Sequence, residues 1–226
     1  MTVRRGETIG IVGESGSGKS MLVRSIMGIA PTTARVDPTS SVRFDGRDVL
    51  SLSQREAQGF WGREIAMVFQ DPLTSLNPIR TIGRQITDPL RHHLGLNRRA
   101  AADRAVELLE RVRIPSPRSR LGEYPHQLSG GMRQRVGIAI ALSCSPKLLI
   151  ADEPTTALDV TVQHEILDLL HALQADGDMA MILVSHDLAV VSQHTDRIGV
   201  MYAGRFLEVG DTRALLDEPA HPHTGA

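Results

Sequence analysis

Apolar runs and polar breaks alternate along this chain with two different periods. Ile9 to Val12 is a short continuous apolar run ending at a glycine-rich turn, and Leu22, Ile26 and Ile29 then recur at helical spacing. That stretch predicts strand, loop and helix. Val42 to Phe44, the turn Asp45-Gly46 and Ile65 to Phe69 predict further strands, with a polar, helix-compatible stretch from Ser53 to Phe60 between them. From Asn97 to Arg113, the residues Ala102, Val106, Leu109 and Val112 or Arg113 mark the apolar face of a helix whose Arg/Glu-rich face is solvated. Ile114-Pro115-Ser116-Pro117 closes it. After Ser129-Gly130-Gly131, Met132, Val136 and Ile140 repeat every four residues, so a helix begins at the glycines and stops near Pro146. Leu148 to Ala151 is too continuous for a half-exposed strand and suits a central one covered on both faces. Val162, Ile166, Leu169 and Leu173 trace a helix ending near Gly177, and Met181 to Val184 reads as a strand. Ile198 to Met201 and Phe206 to Val209 bracket Ala203-Gly204-Arg205 as a hairpin. Strands alternating with helices imply an α/β fold with a mostly parallel sheet between helical layers.

Composition narrows the class. A chain of 226 residues, 41% of them hydrophobic, is long enough for one well-packed domain. Its 25 basic and 26 acidic residues leave a formal charge of −1, which excludes broad electrostatic attraction to nucleic acid or acidic lipid. The single cysteine, Cys144, cannot form an internal disulfide, which fits a reduced, intracellular setting, and it reads as a small buried hydrophobe. No apolar run approaches the roughly 20 residues needed to span a bilayer, and Met1 to Glu7 lacks a signal-peptide core. Action at a membrane is therefore expected from the cytoplasmic side, on proteins embedded there.

Two motifs carry chemistry. Gly13-Glu14-Ser15-Gly16-Ser17-Gly18-Lys19-Ser20 fits the P-loop pattern, flanked by the predicted strand and helix. Its glycines let successive N–H groups point inward and, with the positive helix end, cradle phosphates. Lys19 is expected to neutralise the outer phosphates and Ser20 to place its hydroxyl on Mg²⁺. Leu148 to Glu153 is an apolar strand ending in two carboxylates, of which Asp152 suits the Mg²⁺ shell and Glu153 suits orienting and deprotonating the attacking water. A third stretch, Ser129-Gly130-Gly131, is a hydroxyl and two glycines at a helix N-terminus, physically a second phosphate site. One chain has little use for two cradles on one γ-phosphate unless they come from different copies. A head-to-tail pair with two-fold symmetry satisfies this.

Leu128-Ser129-Gly130-Gly131-Met132-Arg133-Gln134-Arg135 resembles the signature sequence of ABC (ATP-binding cassette) ATPases. The remaining pieces of that family lie in order. Gln70 resembles the Q-loop glutamine that contacts Mg²⁺ or water and senses a membrane subunit, Asp159 the D-loop aspartate at the dimer interface, and His186 the switch histidine that contacts the γ-phosphate. Gln70-Asp71-Pro72-Leu73-Thr74-Ser75-Leu76-Asn77-Pro78, Tyr124 to Gly131, Asp152 to Gln163 and Met201 to Arg205 are similar to the dipeptide/oligopeptide importer branch. The resemblance covers nearly the whole chain. It implies a single ABC ATPase domain: a RecA-like core of residues 1–70 and 147–226, and a helical signature subdomain of about 71–146. It also implies ATP and Mg²⁺, a second ATPase subunit (identical or paralogous), two transmembrane permease subunits and, indirectly, an extracytoplasmic solute-binding protein. The chain would sit peripherally at the cytoplasmic face of the inner membrane, powering import of peptides, nickel chelates or related solutes. No nucleic-acid partner is expected. The alternatives are a soluble ABC ATPase acting on nucleic acid or ribosomes, a P-loop kinase, which would have no use for Ser129, and a clipped, inactive homologue. The other eight histidines, including His92, His93, His221 and His223, have no metal-site spacing and read as surface residues.

Two departures from the family pattern are visible. No aromatic residue precedes Phe44, so the antiparallel strands that carry an adenine-stacking ring in this family are largely missing. At the other end, Glu218-Pro219-Ala220-His221-Pro222-His223-Thr224 resembles the start of the branch's C-terminal extension, and the sequence stops at Ala226. The chain reads as clipped at both ends. Base stacking on an aromatic is worth about 1 to 3 kcal/mol elsewhere, so ATP should bind more weakly here than to a version extended at the N-terminus. Equal affinities in a direct titration would contradict that expectation.

Overall fold

The computed structural model describes residues 1–31, 34, 37, 39–71, 75–156 and 158–218. Pro72, Leu73, Thr74, Ala157, the segment 219–226 and, with it, His221 and His223 lie outside the described residues. The strands are β1 (Thr8–Val12), β2 (Arg43–Phe44), β3 (Arg47–Asp48), β4 (Ile65–Val68), β5 (Leu148–Asp152), β6 (Ala180–Val184), β7 (Arg197–Tyr202) and β8 (Arg205–Asp211). The helices are α1 (Lys19–Ile26), α2 (Gln54–Phe60), α3 (Ile82–Leu94), α4 (Arg98–Arg111), α5 (Pro117–Arg120), α6 (Gly130–Ala141), α7 (Val160–Ala175), α8 (Leu188–Ser192) and α9 (Thr212–Asp217).

Six strands form one sheet in the order β4-β5-β6-β1-β7-β8, all parallel except β8, which returns antiparallel to β7. The β7–β8 reversal uses Ala203 and Gly204, both at positive φ (46° and 79°), the conformation a two-residue hairpin turn requires. β2 and β3 pair separately, around Asp45 and Gly46. Every residue of β1, β4, β5 and β6 is buried. Alternate residues serve opposite faces: Ala66, Val68, Leu149, Ala151, Met181 and Leu183 join one core cluster, and Ile65, Met67, Leu148, Ile150, Ile182 and Val184 join the other. Both faces are dry because helices cover both, which is why the strand sequences read as unbroken apolar runs. α1, α2 and the β2–β3 hairpin cover the second cluster through Val23, Met27, Phe60 and Phe44. α3, α4, α6 and α7 cover the first through Ile82, Ile86, Leu90, Leu108, Leu109, Val136, Ile138, Ile166 and Leu170.

The elements read from the sequence are present, and the short helices α5, α8 and α9 are additional to them. α3 was not foreseen. Its buried residues Ile82, Ile86 and Leu90 recur every four residues, but Pro89 interrupts the pattern. Its first turn is capped by Thr81, and the N–H groups of Ile82 and Gly83 donate to the carbonyls of Glu123 and Leu121, so its free donors are met by a neighbouring loop. On α4 the buried residues are Ala101, Ala105, Val106, Leu108 and Leu109, followed by Val112; the expected Val106, Leu109 and Val112 are buried, whereas Ala102 is only half-buried and Arg113 is exposed at φ 58°. The buried face is wider than the expected one, taking in Ala101, Ala105 and Leu108, because α4 packs against both α3 and α6. Phe69 falls just outside β4 and is 40% exposed.

Ile86 has no solvent exposure, so Ile86→Ala should lower the unfolding free energy by about 2 to 5 kcal/mol. Arg91→Ala on the exposed side of the same helix should change it by under about 0.5 kcal/mol. Urea titrations followed by circular dichroism compare the two; equal midpoints would show that α3 does not belong to the cooperative core.

Candidate functional site

Parallel strands carry their C-terminal loops to one edge of the sheet, and here the adjacent strands β4, β5, β6 and β1 deliver four different pieces. Gln70 comes after β4, Glu153 after β5 and His186 after β6, and Gly13 opens the loop after β1. The P-loop is shaped by close approach. A Cβ on Gly13 would stand 2.1 Å from the Met201 carbonyl oxygen of β7, so only glycine fits. Gly18, at φ 100°, is the N-cap of α1 and turns the loop into the helix. Lys19, 4% exposed, reaches back under the loop and donates from Nζ to the carbonyls of Gly13 (2.7 Å) and Glu14 (3.0 Å). Ser15 and Gly16 are exposed and Ser17 is buried, its carbonyl accepting from Gly204 N–H at 2.8 Å.

Asp152 has no solvent exposure. Its Oδ1 accepts from Ser20 Oγ at 2.8 Å, and its Oδ2 has no hydrogen-bond partner, with Arg24 Nε 3.8 Å away. Burial pushes the Asp152 carboxyl above its ordinary range and the Glu153 charge adds to that, while the Ser20 hydrogen bond and the Arg24 and Lys19 charges oppose it. A buried carboxylate oxygen with no donor, beside a serine hydroxyl, is a hard oxygen pair of the type Mg²⁺ takes. Ser20 and Asp152 therefore fit that ion. Gln70 Nε2 donates to Glu153 Oε2 at 2.9 Å, a contact that engages the amide nitrogen and not the oxygen that a metal or water would meet.

Glu153 stands at φ 44°, a strained position for a residue with a side chain, and its side chain is 13% exposed. Thr156 Oγ1 donates to the same Oε2 at 3.0 Å, and His186 Nδ1 lies 3.6 Å from it, beyond hydrogen-bond range. The three polar neighbours converge on one oxygen, which leaves Oε1 to meet a water.

Ser129 and Asp159 are the N-caps of α6 and α7, accepting from Met132 N (3.3 Å) and Val162 N (2.9 Å). The two helix starts lie side by side, since a Cβ on Gly131 would stand 2.8 Å from Val162 Cγ1 and one on Gly130 3.6 Å from Leu158 Cδ2. Ser129 and Gly130 are exposed. Among the described residues no hydrogen bond joins Ser129, Gly130 or Gly131 to the P-loop. The structure thus brings together Gly13 to Ser20, Asp152, Glu153, Gln70 and His186, and groups Ser129 to Gly131 with Asp159 elsewhere. Arg24 and Thr156 were missed from sequence. Their signals are spacing, four residues after Ser20 on the helix and three after Glu153 in the turn. Of the histidines expected at the surface, His93 and His194 are half-buried, and burial pushes both below their ordinary range.

A family model described as "ABC transporter" matches residues 1–156. This chain belongs to that family. Among its relatives, this ABC chain is 52% identical over 225 residues to the dipeptide transport ATP-binding protein DppD of Escherichia coli (strain K12), covering 100% of this chain and 68% of that one. To the oligopeptide transport ATP-binding protein OppD of Bacillus subtilis (strain 168) it is 51% identical over 220 residues, covering 97% and 62%. Both names belong to the importer branch recognised from the motifs. Of solved structures, the dimeric post-hydrolysis state of the ATP-binding cassette MJ0796 bound to ADP and Pi superposes with a TM-score of 0.80 at 29% identity, covering 94% of this chain and 88% of that one. The cbiO1 protein of Clostridium perfringens, part of the ABC transporter complex cbiONQ, gives 0.82 at 30%, covering 96% and 82%.

A buried carboxyl whose pKa is raised on folding contributes stability below its unfolded value and loses it as pH rises through the folded value. Asp152→Asn does not titrate there. In chelator, the variant should therefore be more stable than wild type at pH 7, with the difference vanishing below about pH 4. Denaturation midpoints across that range check it, and a less stable variant at pH 7 would mean that Ser20 and Arg24 over-compensate the burial.

Proposed function

We propose that this chain binds MgATP and hydrolyses it as the ATP-binding subunit of an importer for peptides or related solutes, each ATP held between two such subunits. The observation that carries the reading is the separation of two phosphate cradles. The P-loop has its acids, glutamine and histidine around it, whereas the turn Ser129 to Gly131, exposed at Ser129 and Gly130, starts another helix with none of them. A second subunit turned by two-fold symmetry would bring its Ser129 turn to the first subunit's ATP. The ADP-and-Pi-bound cassette to which the chain is similar is itself dimeric, and relatives named for peptide transport supply the substrate class.

In this mechanism the N–H groups of Gly13 to Ser20 bind the phosphates, and the Lys19 ammonium leaves the Gly13 and Glu14 carbonyls for the outer phosphate oxygens. Ser20 and Asp152 would hold Mg²⁺, which supplies positive charge to the phosphates and to the leaving oxygens. Glu153, oriented through Oε2, accepts the proton of the attacking water at Oε1. Gln70 ties the loop after β4 to that base, and His186, 3.6 Å from Glu153 Oε2, would contact the γ-phosphate. Asp159 of one subunit, beside its own Ser129 turn, would face the other across the interface. The chain reads as one cassette, with residues 1–70 and 147–226 as the core and 71–146 as the helical signature part, supported by the packing of α3, α4 and α6 on one another. Among the described residues no helix is long and apolar enough to cross a membrane. We place the chain peripherally, at the cytoplasmic face of membrane-embedded permease subunits, with an extracytoplasmic binding protein beyond them.

Glu153→Gln should retain ATP binding, slow turnover by roughly 10² to 10⁴-fold, and accumulate an ATP-dependent dimer by light scattering. Adding Ser129→Arg should abolish that dimer. Turnover at the wild-type rate in Glu153→Gln would remove the base assignment, and an ATP-dependent dimer that tolerates Ser129→Arg would remove the shared site.

A further inference from the structure

Glu153 is held in a backbone conformation that side chains avoid, yet its carboxylate must be aimed to act as a base. The turn after it meets both needs through one residue. Thr156 N–H donates to the Glu153 carbonyl at 3.2 Å, and Thr156 Oγ1 donates to Glu153 Oε2 at 3.0 Å. From the other side Glu153 N–H donates to the Val184 carbonyl of β6 at 3.0 Å. The residue is thereby pinned at its N–H, its carbonyl and its side chain, and the φ of 44° is over-determined rather than free to relax.

We infer that Thr156 is a positioning residue for hydrolysis, a two-point clamp that fixes the Glu153 carboxylate so that Oε1 faces the attacking water. The inference rests on the proposed role of Glu153 as base. Gln70 gives Oε2 one point of attachment from the loop after β4, whereas Thr156 lies three residues from Glu153 in the same turn and binds both its backbone and its side chain. With Oε2 held at one point only, the carboxyl can rotate about its terminal torsion, which is soft for a glutamate. A base displaced by about 1 Å loses about 10²-fold in rate, while substrate affinity, set by the P-loop, is untouched.

The test uses the full chain and steady-state ATP hydrolysis, with ATP affinity measured separately by a fluorescent ATP analogue. Thr156→Val keeps the shape and the backbone N–H and deletes the hydroxyl donor. It should lower kcat by roughly ten- to a hundred-fold and leave KM and analogue affinity unchanged. Thr156→Ser restores the donor and should return kcat to within about threefold of wild type. An undiminished kcat in Thr156→Val, or a Thr156→Ser variant as slow as Thr156→Val, overturns the clamp while leaving Glu153 as base. Wild type that binds the analogue and shows no turnover overturns the hydrolytic reading and the clamp with it.

Discussion

Asp152 ends the strand β5, which lies between β4 and β6, and its carboxylate is cut off from water on every side. Such burial is costly, and the surroundings are organised around the cost. Ser20, at the first turn of α1, gives it one hydrogen bond; Arg24, one turn later, and Lys19 give it positive charge. These three groups lie on one short helix, so the helix that follows the P-loop supplies the groups that offset the burial of the acid. The sheet order arises from the same need. Placing β1 beside β6 and β5 next to that brings the loop and the acid to one edge with a single strand between them.

Much of this was legible in the sequence because it is written in local patterns. The runs at Ile9 to Val12 and Leu148 to Ala151 declare buried strands through their lack of alternation, and the structure covers both faces of each. The glycines of the P-loop announce a backbone that must approach something closely; the Met201 carbonyl is that something, and no sequence pattern names it. α3 stayed hidden since Pro89 breaks the helical signal even though Ile82, Ile86 and Leu90 keep the right spacing. The first turn of α4 was equally out of reach, because Ala101 and Ala102 have the same side chain and tertiary packing alone decides which is buried. At the candidate site, Lys19, Ser20, Asp152, Glu153, Gln70 and His186 stood out in the sequence because each side chain has a chemistry of its own. Arg24 and Thr156 serve other side chains, and that service exists only in three dimensions.

Glycine at 131 is explained by contact as well as by phosphate chemistry. With Val162 2.8 Å from where a Cβ would be, the starts of α6 and α7 touch without a side chain between them. The Arg135–Glu165 ion pair at 2.7 Å ties the same two helices one turn further on. The Ser129 and Asp159 caps are consequently fixed relative to one another, and a subunit facing them would meet one surface.

The strand that carries the P-loop is made early in the chain and finds its neighbours late. β1 pairs with β6 and β7, so Thr8 to Val12 has no strand to bond with until Met181 to Val184 and Arg197 to Val200 have been synthesised. During that interval a largely apolar five-residue stretch with both edges open waits while the middle of the chain emerges. The ribosome will have released α3 to α7 before the nucleotide site can exist at all. Folding of the catalytic edge is therefore a late step, in which β1 is joined by strands roughly 170 to 190 residues further along, the separation of Thr8 from Met181 and of Ile9 from Arg197.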